Sequence, residues 1–457
     1  MNDSERSMEA DQQFDRSFKL LQQLVNFEDA NELFAQRAHT VYTACVVLWM
    51  LVYQRLMPDA SLENAVKHLL DTRPSYLPEN KRLDENTIST ASGAYSRARS
   101  RLPLEVVRWF AEEVSSGIIS ATEPTFNQQR VFLIDGTTMA LAPEKELQQA
   151  FPPASNQLGE GIWPCALLTV FHELASGAAM LPQVGPMYGP EAVSETQLAR
   201  QGFEQLPEHS IIMSDAGFGI FGVAYEAINA GHDILLRMKK ANFHSLQKNA
   251  ELIEQSEHHK SYRHTWIPTK KNRQTQPELP ADCQCDVFLH EVKVTDSLTL
   301  YLVSTLADEA FTLAALFERR YDVETDICNF KVVMDAENIR AKSVDTFMKE
   351  LYTSVVAYNL TSQLRIEAAA MEEVPPRRMS FKRTWTTFQT FLLRHMHTEP
   401  SQWREAYRTA LAIARKDKLP IRGKRSYRRE AYRKRPKDAQ FEKRKKPPSK
   451  LKDSDLK

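Results

Sequence analysis

The spacing of hydrophobic residues changes near residue 126, and this change constrains the fold more than any other feature. In residues 14–122, apolar side chains recur at intervals of three and four, the pattern of amphipathic α-helices. Beyond residue 126, short apolar runs such as "RVFLID" and "HSIIMSD" alternate with helical stretches. We therefore expect a helical N-terminal region followed by an α/β core.

Two of the apolar runs end in an aspartate beside a small residue. Asp135 precedes Gly136, and Asp215 precedes Ala216. In open α/β sheets ligands bind at the carboxyl ends of the strands, which makes both aspartates candidate site residues. A single aspartate of this kind is ordinarily a turn residue, since Asp-Gly favours turns, and the case for a site depends on the two together with a later carboxylate.

A third candidate carboxylate lies in the polar segment "FERRYDVETDICNFK", residues 317–331. On an α-helix, Phe317, Arg320, Glu324 and Lys331 would fall within an arc of roughly 60°. Three carboxylates suit Mg²⁺, which takes oxygen ligands, and two such ions can catalyse in-line displacement at phosphorus. The same spacing also fits an ordinary solvated helix face.

The formal charge of the chain is balanced overall but unevenly distributed. It contains 59 basic and 59 acidic residues, of which residues 421–457 hold 16 and 5. A tail with a net charge of +11 is expected of a protein with a polyanionic partner. Tyr427 and Tyr432, placed among arginines, could stack on bases. The alternative is a tail that only aids solubility.

A second arginine-rich segment, "YSRARSRLP", lies in the helical N-terminal region. Arg97, Arg99 and Arg101 could lie on the second helix of a helix-turn-helix and reach phosphates or base edges. An arginine-rich surface helix without a ligand is the alternative.

Neither a membrane span nor a disulfide framework is expected. The longest apolar run, residues 41–53, is shorter than the roughly 20 residues that a span requires. Five scattered cysteines fit reduced thiols in a cytoplasm. Cys283 and Cys285 lack the C-x-x-C spacing of zinc sites. No G-x-x-x-x-G-K-[ST] segment occurs, which disfavours a nucleotide-hydrolysing enzyme.

Residues 317–331 resemble the Y-x-x-R-x-x-x-E-x-x-x-x-x-x-K signature of bacterial insertion-sequence transposases of the DDE type. Arg320, Glu324 and Lys331 match, whereas Phe317 stands where that family usually has tyrosine. "FLIDGT" and "IIMSDAGF" are similar to the blocks that carry the family's first and second aspartates. "YSRARSRLP" and "LYTSVVAYNL" resemble its flanking regions, so the resemblance spans residues 15 to 440.

The resemblance implies a domain order: a helical N-terminal DNA-binding domain, and a ribonuclease H-like core divided by a β-rich insertion. It also implies a C-terminal helical region with the basic tail. The expected boundaries are 1–125 for the first domain, 126–240 and 310–370 for the core, 241–309 for the insertion, and 371–457 for the last region.

The resemblance also implies a chemistry. Asp135, Asp215 and Glu324 would bind two Mg²⁺ ions, for which Mn²⁺ could substitute. These ions would drive cleavage at the transposon end and attack of the freed 3′-OH on target DNA. The expected partners are transposon terminal inverted repeats, target DNA and a second copy of the chain in a homodimer. The expected location is the cytoplasm of a bacterium, at the nucleoid.

Further residues would contact DNA by the same resemblance. Phe317, Arg320 and Lys331 would lie near the cleavage point, although phenylalanine lacks the tyrosine hydroxyl. The family's insertion can hold a flipped base on an aromatic ring, and Trp266 is the only tryptophan in this insertion. Burial in the insertion's own core is the alternative for Trp266. Two other functions fit the same carboxylates: a metal-dependent nuclease or resolvase, and an inactive DNA-binding relic.

Overall fold

The computed structural model describes residues 3–34, 40–57, 61–156 and 159–420. The chain divides into two units, Met1–Lys418 and Leu419–Lys457, and every element below belongs to the first. The basic tail of residues 421–457 lies outside the described residues.

The N-terminal region is helical, as predicted, and its apolar run is a buried core helix. Eleven of the thirteen residues of Ala44–Leu56 are buried, and the Thr43 hydroxyl caps its first turn by accepting from the Val46 N–H. In the described part of the chain, no helix is long and apolar enough to cross a membrane. The helices of this region are α1 Asp3–Leu24, α2 Asp29–Leu33, α3 Ala44–Leu56, α4 Leu62–Thr72, α5 Lys81–Asp84, α6 Gly93–Arg101 and α7 Leu104–Ser120.

Ten strands in the described residues form one mixed sheet, in the order β2-β3-β1-β5-β6-β10-β9-β8-β7, with β4 also paired to β3. β1 pairs antiparallel with β3 and parallel with β5, and β5 pairs parallel with β6. The strands are β1 Val131–Ala140, β2 Pro153–Asn156, β3 Gly159–Glu173, β4 Gln183–Pro186, β5 Ile211–Ser214, β6 Asp233–Arg237, β7 Glu251–Gln255, β8 His259–Trp266, β9 Cys285–Thr295 and β10 Leu298–Ser304.

The remaining helices pack on the sheet and on one another. They are α8 Lys145–Ala150, α9 Glu195–Gly202, α10 Phe221–Asn229, α11 Lys240–Gln247, α12 Lys270–Thr275, α13 Ala310–Glu318, α14 Asp322–Cys328, α15 Val344–Ala370, α16 Phe381–His395 and α17 Arg404–Ala414. Successive residues of β1 alternate between two apolar clusters: Phe132 and Ile134 join the larger one, and Leu133 joins the smaller one with Phe317 of α13. Burial on both faces is typical of strands covered by helices.

The predicted fold class is confirmed: an α/β protein with a ribonuclease H-like core, preceded by N-terminal helices. The antiparallel strands β4, β3 and β1 lead into the parallel strands β5 and β6. The segment predicted to be β-rich supplies β7 to β10, and β10 pairs antiparallel with β6. These four strands therefore lengthen the core sheet.

The carboxyl of Glu367, near the end of α15, makes stability depend on pH. Burial raises its pKa to about 7, although Gln363 donates a hydrogen bond to it at 3.2 Å. Because the folded pKa lies above the unfolded one, stability falls as the pH rises from about 4.5 to about 7. We expect Glu367→Gln to stabilise the protein at pH 8 by on the order of 2 kcal/mol, and not at pH 4. Thermal melts at both pH values measure this, and an equal gain at both would contradict it.

Candidate active site

Asp135 and Asp215 lie side by side at the end of a parallel strand pair. The register of β1 and β5 runs from Val131 opposite Ile211 to Ile134 opposite Ser214. Asp135 follows Ile134 and Asp215 follows Ser214, and neighbouring strands lie about 4.8 Å apart. Two carboxylates that are 80 positions apart in sequence are therefore brought to one edge of the parallel ladder.

Each aspartate also accepts a hydrogen bond from a nearby glycine. The Gly136 N–H donates to Asp135 Oδ1, and the Gly217 N–H donates to Asp215 Oδ1, both at 2.8 Å. These bonds orient the two carboxylates at the edge of the ladder. The turn alternative holds only for Asp215, which precedes a turn at residues 216–218, because Asp135 lies within β1.

The prediction that Asp135 ends its strand is wrong. β1 continues for five residues to Ala140, because β3 is fifteen residues long and pairs with β1 from Phe132 through Ala140. Asp135 faces Val170 in the antiparallel register. Only the parallel pairing stops there, and that is sufficient to leave the two carboxylates together.

The segment of residues 317–331 is helical, but it is not one uniform α-helix as predicted. A 3-10 turn at Arg319–Tyr321 separates α13 from α14, and π-helical Asn329–Val333 follows α14. Tighter and wider turns rotate side chains away from an ideal stripe, and π-helical turns occur frequently at functional sites. Glu324 is in the first turn of α14, with 56% of its side chain exposed.

Arg320 contacts carboxylates on both α14 and β1. Its Nη2 donates to Glu324 Oε1 at 2.8 Å, and its Nη1 lies 3.9 Å from Asp135 Oδ2. Burial alone would lower the pKa of Arg320, but Glu324, Asp135 and Asp215 together raise it above its ordinary value. The guanidinium therefore stays charged between the first and third candidate carboxylates.

The carboxyl of Asp135 is in an environment that disfavours its charge. Desolvation raises its pKa, and the negative charges of Asp215 and Glu324 raise it further, while the Gly136 N–H and Arg320 lower it. Carboxylates that share a site repel one another, and a cation relieves that repulsion. This is the electrostatic environment expected of a site for positive ions.

The fit of this site to divalent cations rests on its donor set. Asp135, Asp215 and Glu324 offer only carboxylate oxygens, the ligands that Mg²⁺ and Mn²⁺ prefer. Within the described residues, no three histidine, cysteine or acidic side chains are already grouped closely enough to hold a metal. Of the three carboxylates, Glu324 is the most exposed, and it accepts a hydrogen bond from Arg320.

A fourth carboxylate at this edge was missed by sequence reasoning. Glu195, the first residue of α9, lies against Gly136, and a Cβ added there would overlap its carboxylate. Partial desolvation and the charges of Asp135 and Asp215 raise its pKa. "SETQ" carries a helix-capping signature, since Ser194 and Gln197 form a capping box, but nothing in it indicates a site.

One comparison with known proteins covers this part of the chain. A family model described as a transposase DDE domain matches residues 127–360, just over half of the chain. This chain belongs to the transposase DDE domain family. Asp135, Asp215 and Glu324 all lie within the matched region. The search of curated proteins gives no match.

Two of the predicted DNA contacts in this transposase are engaged within the protein. Phe317 is 5% exposed and packs in the apolar cluster beneath the sheet. Lys331 Nζ donates to the Thr138 carbonyl at 2.7 Å and lies 3.5 Å from Glu337 Oε2. Phenylalanine suits the buried position 317, and Lys331 would have to exchange partners to reach a phosphate.

Trp266 is buried, which does not favour the prediction that it stacks on a base. It is 5% exposed and packs edge-on to Phe221 at 5.6 Å between ring centroids. A groove of about 400 Å³ next to Arg320 instead presents the exposed rings of Phe311 and Tyr321. Arg320 stacks on Tyr321 at 4.5 Å from the ring centroid. Exposed aromatic surface therefore lies next to Arg320, at positions other than 266.

The three N-terminal arginines have different surroundings. Arg97 and Arg101 are exposed on α6, with the Arg101 Nε donating to the Arg97 carbonyl at 3.3 Å. Arg99 instead donates to Glu350 of α15 at 2.8 Å, with 12% of its side chain exposed. Arg99 therefore ties α6 to the core, while Arg97 and Arg101 remain available to a ligand.

A buried ion pair holds the helix that carries Glu324. Arg377, in the turn after α15, donates two hydrogen bonds of 2.7 Å to Asp326, whose side chain is fully buried. It also reaches Asp322 at 3.2 Å. Burial lowers the pKa of His172 on β3, which lies 3.8 Å from Asp326. We call the pair of Arg377 and Asp326 the α14 clamp.

Proposed function

We propose that this protein is a DNA transposase that binds transposon ends, cleaves them, and transfers the 3′-OH strand to target DNA. The observation that carries the proposal is the meeting of Asp135, Asp215 and the Glu324 helix at the end of the β1–β5 ladder. This meeting lies inside a region that matches the transposase DDE domain.

In this proposal Asp135, Asp215 and Glu324 hold two Mg²⁺ ions, for which Mn²⁺ can substitute. Bound there, the ions would activate the attacking oxygen and stabilise the leaving oxygen at phosphorus. Asp135 and Asp215 are fixed by backbone N–H bonds from Gly136 and Gly217, so they form the rigid side of the site. Glu324, on the exposed side, closes it.

Arg320 has a distinct role in the proposed mechanism. Its guanidinium neutralises Glu324 and Asp135 before DNA arrives, at 2.8 and 3.9 Å. On DNA binding, Arg320 would donate to a phosphate, for which its planar fork is well suited. Lys331 would make a second phosphate contact after leaving Thr138 and Glu337.

DNA would extend from this site onto several surfaces. We assign base contact to the groove that presents Phe311 and Tyr321, next to Arg320 and Phe317. The N-terminal domain, 1–125, would bind the transposon end through Arg97 and Arg101, and the tail within 371–457 would add non-specific affinity. The core would comprise 126–240 and 310–370, with the insertion at 241–309.

The proposed assembly is a homodimer on two transposon ends, at the nucleoid of a bacterial cytoplasm. Joining of excised ends to a target requires that both ends be held together, and a second copy of the chain supplies the second active site.

The test is an excision and joining reaction with purified protein. The protein is incubated with Mg²⁺ or Mn²⁺ and a plasmid carrying the DNA ends that flank its own gene. Excised DNA that becomes joined to a second plasmid is the expected result. Nicking without joining would instead identify a nuclease or resolvase, and DNA binding without cleavage would identify an inactive relic.

A further inference from the structure

The position of Glu195 is fixed by its backbone rather than by partners of its carboxylate. Ser194 caps α9 by accepting from the Gln197 N–H at 3.2 Å, and the Thr169 hydroxyl on β3 donates to the Glu195 carbonyl at 3.0 Å. Among the described residues, no hydrogen-bond donor or basic group pairs with the Glu195 carboxylate. The backbone is therefore anchored while the carboxylate is left without a counter-charge.

Gly136 creates the space that this carboxylate occupies. The atoms nearest to a Cβ at position 136 would be the carboxylate carbon, one carboxylate oxygen and the Cγ of Glu195. Any other residue type beside Asp135 would place its side chain where the Glu195 carboxylate now lies. The residue next to the first aspartate thus leaves room for a second acidic group.

The resulting charge balance is unfavourable for the protein alone. Asp135, Asp215, Glu324 and Glu195 are four carboxylates at one edge, and Arg320 is the basic residue paired with them. A favourable helix-dipole interaction explains an acid in the first turn of α9, but not its contact with Gly136 on β1. Divalent cations would compensate the remaining negative charge.

We infer that Glu195 is a fourth carboxylate of the divalent-cation site, next to Asp135. The inference rests on the proposed function, because it deepens the same site. It predicts four acidic ligands where the family resemblance supplies three. Asp135 lies within β1, Asp215 directly follows β5, and Glu195 and Glu324 are in the first turns of α9 and α14.

The first test measures the affinity for Mn²⁺ in the absence of DNA, by titration calorimetry or by the electron paramagnetic resonance of free Mn²⁺. We expect Glu195→Gln to weaken Mn²⁺ binding about 10- to 100-fold, on the scale seen when groups supporting a metal site are lost. The matched control is Glu204→Gln, an exposed glutamate in the turn that follows α9. It should bind Mn²⁺ like the wild type.

The second test uses Gly136→Ala, which displaces the carboxylate without removing it. The atoms nearest to the added methyl group all belong to the flexible end of the Glu195 side chain, so the variant should fold normally. We expect it to weaken Mn²⁺ binding as Glu195→Gln does. The double variant should be no weaker than either single one, because both changes remove the same interaction.

The outcomes separate this inference from the proposed function. If Asp135→Asn weakens Mn²⁺ binding and Glu195→Gln does not, the site has three carboxylates and only the Glu195 inference is overturned. If neither variant changes the affinity, or the wild type binds no Mn²⁺, both the inference and the proposed cation site are overturned. Weaker Mn²⁺ binding in both Asp135→Asn and Glu195→Gln, with Glu204→Gln unaffected, supports four ligands.

Discussion

Asp135→Asn and Glu324→Gln should each abolish strand cleavage while leaving binding to the transposon ends intact. Each substitution removes one negative charge from the edge where β1, β5 and α14 meet, and keeps the volume of the side chain. We expect cleavage to fall by about 10³-fold or more, as on loss of an essential catalytic group. Gel shifts and nicking of labelled end DNA measure the two effects separately.

The binding result distinguishes a catalytic role from a structural one. The carboxylates repel the phosphates of DNA, so their loss should leave affinity unchanged or slightly increased. Asp282→Asn, which alters an exposed aspartate in the segment before β9, serves as the control and should cleave normally. Parallel losses of binding and cleavage in Asp135→Asn would show that these residues support the fold or the DNA contact instead of the chemistry.

The second large effect concerns the α14 clamp. Arg377→Met should destabilise the protein by about 3–5 kcal/mol, because it leaves the fully buried Asp326 charge without its partner. It should also lower cleavage, since Asp326 lies two residues after Glu324 on the same helix. Urea unfolding and the nicking assay on the folded variant measure the two consequences.

Two further variants serve as controls for the Arg377→Met result. The double variant Arg377→Met/Asp326→Leu removes both charges and should recover most of the lost stability. Lys67→Met breaks an ion pair in which both side chains are more than half exposed, and should cost less than about 1 kcal/mol. If Arg377→Met lowers the free energy of unfolding no more than Lys67→Met does, the clamp does not hold α14.

The parts of this molecule that were predictable are those determined by local pattern. Asp135 and Asp215 follow apolar runs whose strand character is visible in a few residues, and the helical N-terminal region follows from the spacing of its apolar side chains. The position of Glu324 on a helix was predicted from the resemblance and its spacing. The 3-10 and π turns around it were not, because tertiary contacts, such as Lys331 with Thr138, determine them.

What could not be predicted depends on partners far away in the sequence. In sequence, Arg99 is indistinguishable from Arg97 and Arg101. Its partner Glu350, which makes it different, lies 251 positions later. The burial of Trp266 depends on Phe221 of α10. Glu195 has no local signature of a site, and only the fold places its carboxylate on Gly136.

The α14 clamp joins parts of the chain that are synthesised at different times. Asp135, Asp215 and Glu324 leave the ribosome before Arg377, whose bonds to Asp326 hold the helix that carries Glu324. At about 5–20 residues per second, Arg377 follows Asp135 by roughly 10–50 seconds. A nascent or prematurely terminated chain ending before residue 377 carries every candidate catalytic carboxylate but lacks the clamp. We therefore expect a chain that ends before residue 377 to lack cleavage activity.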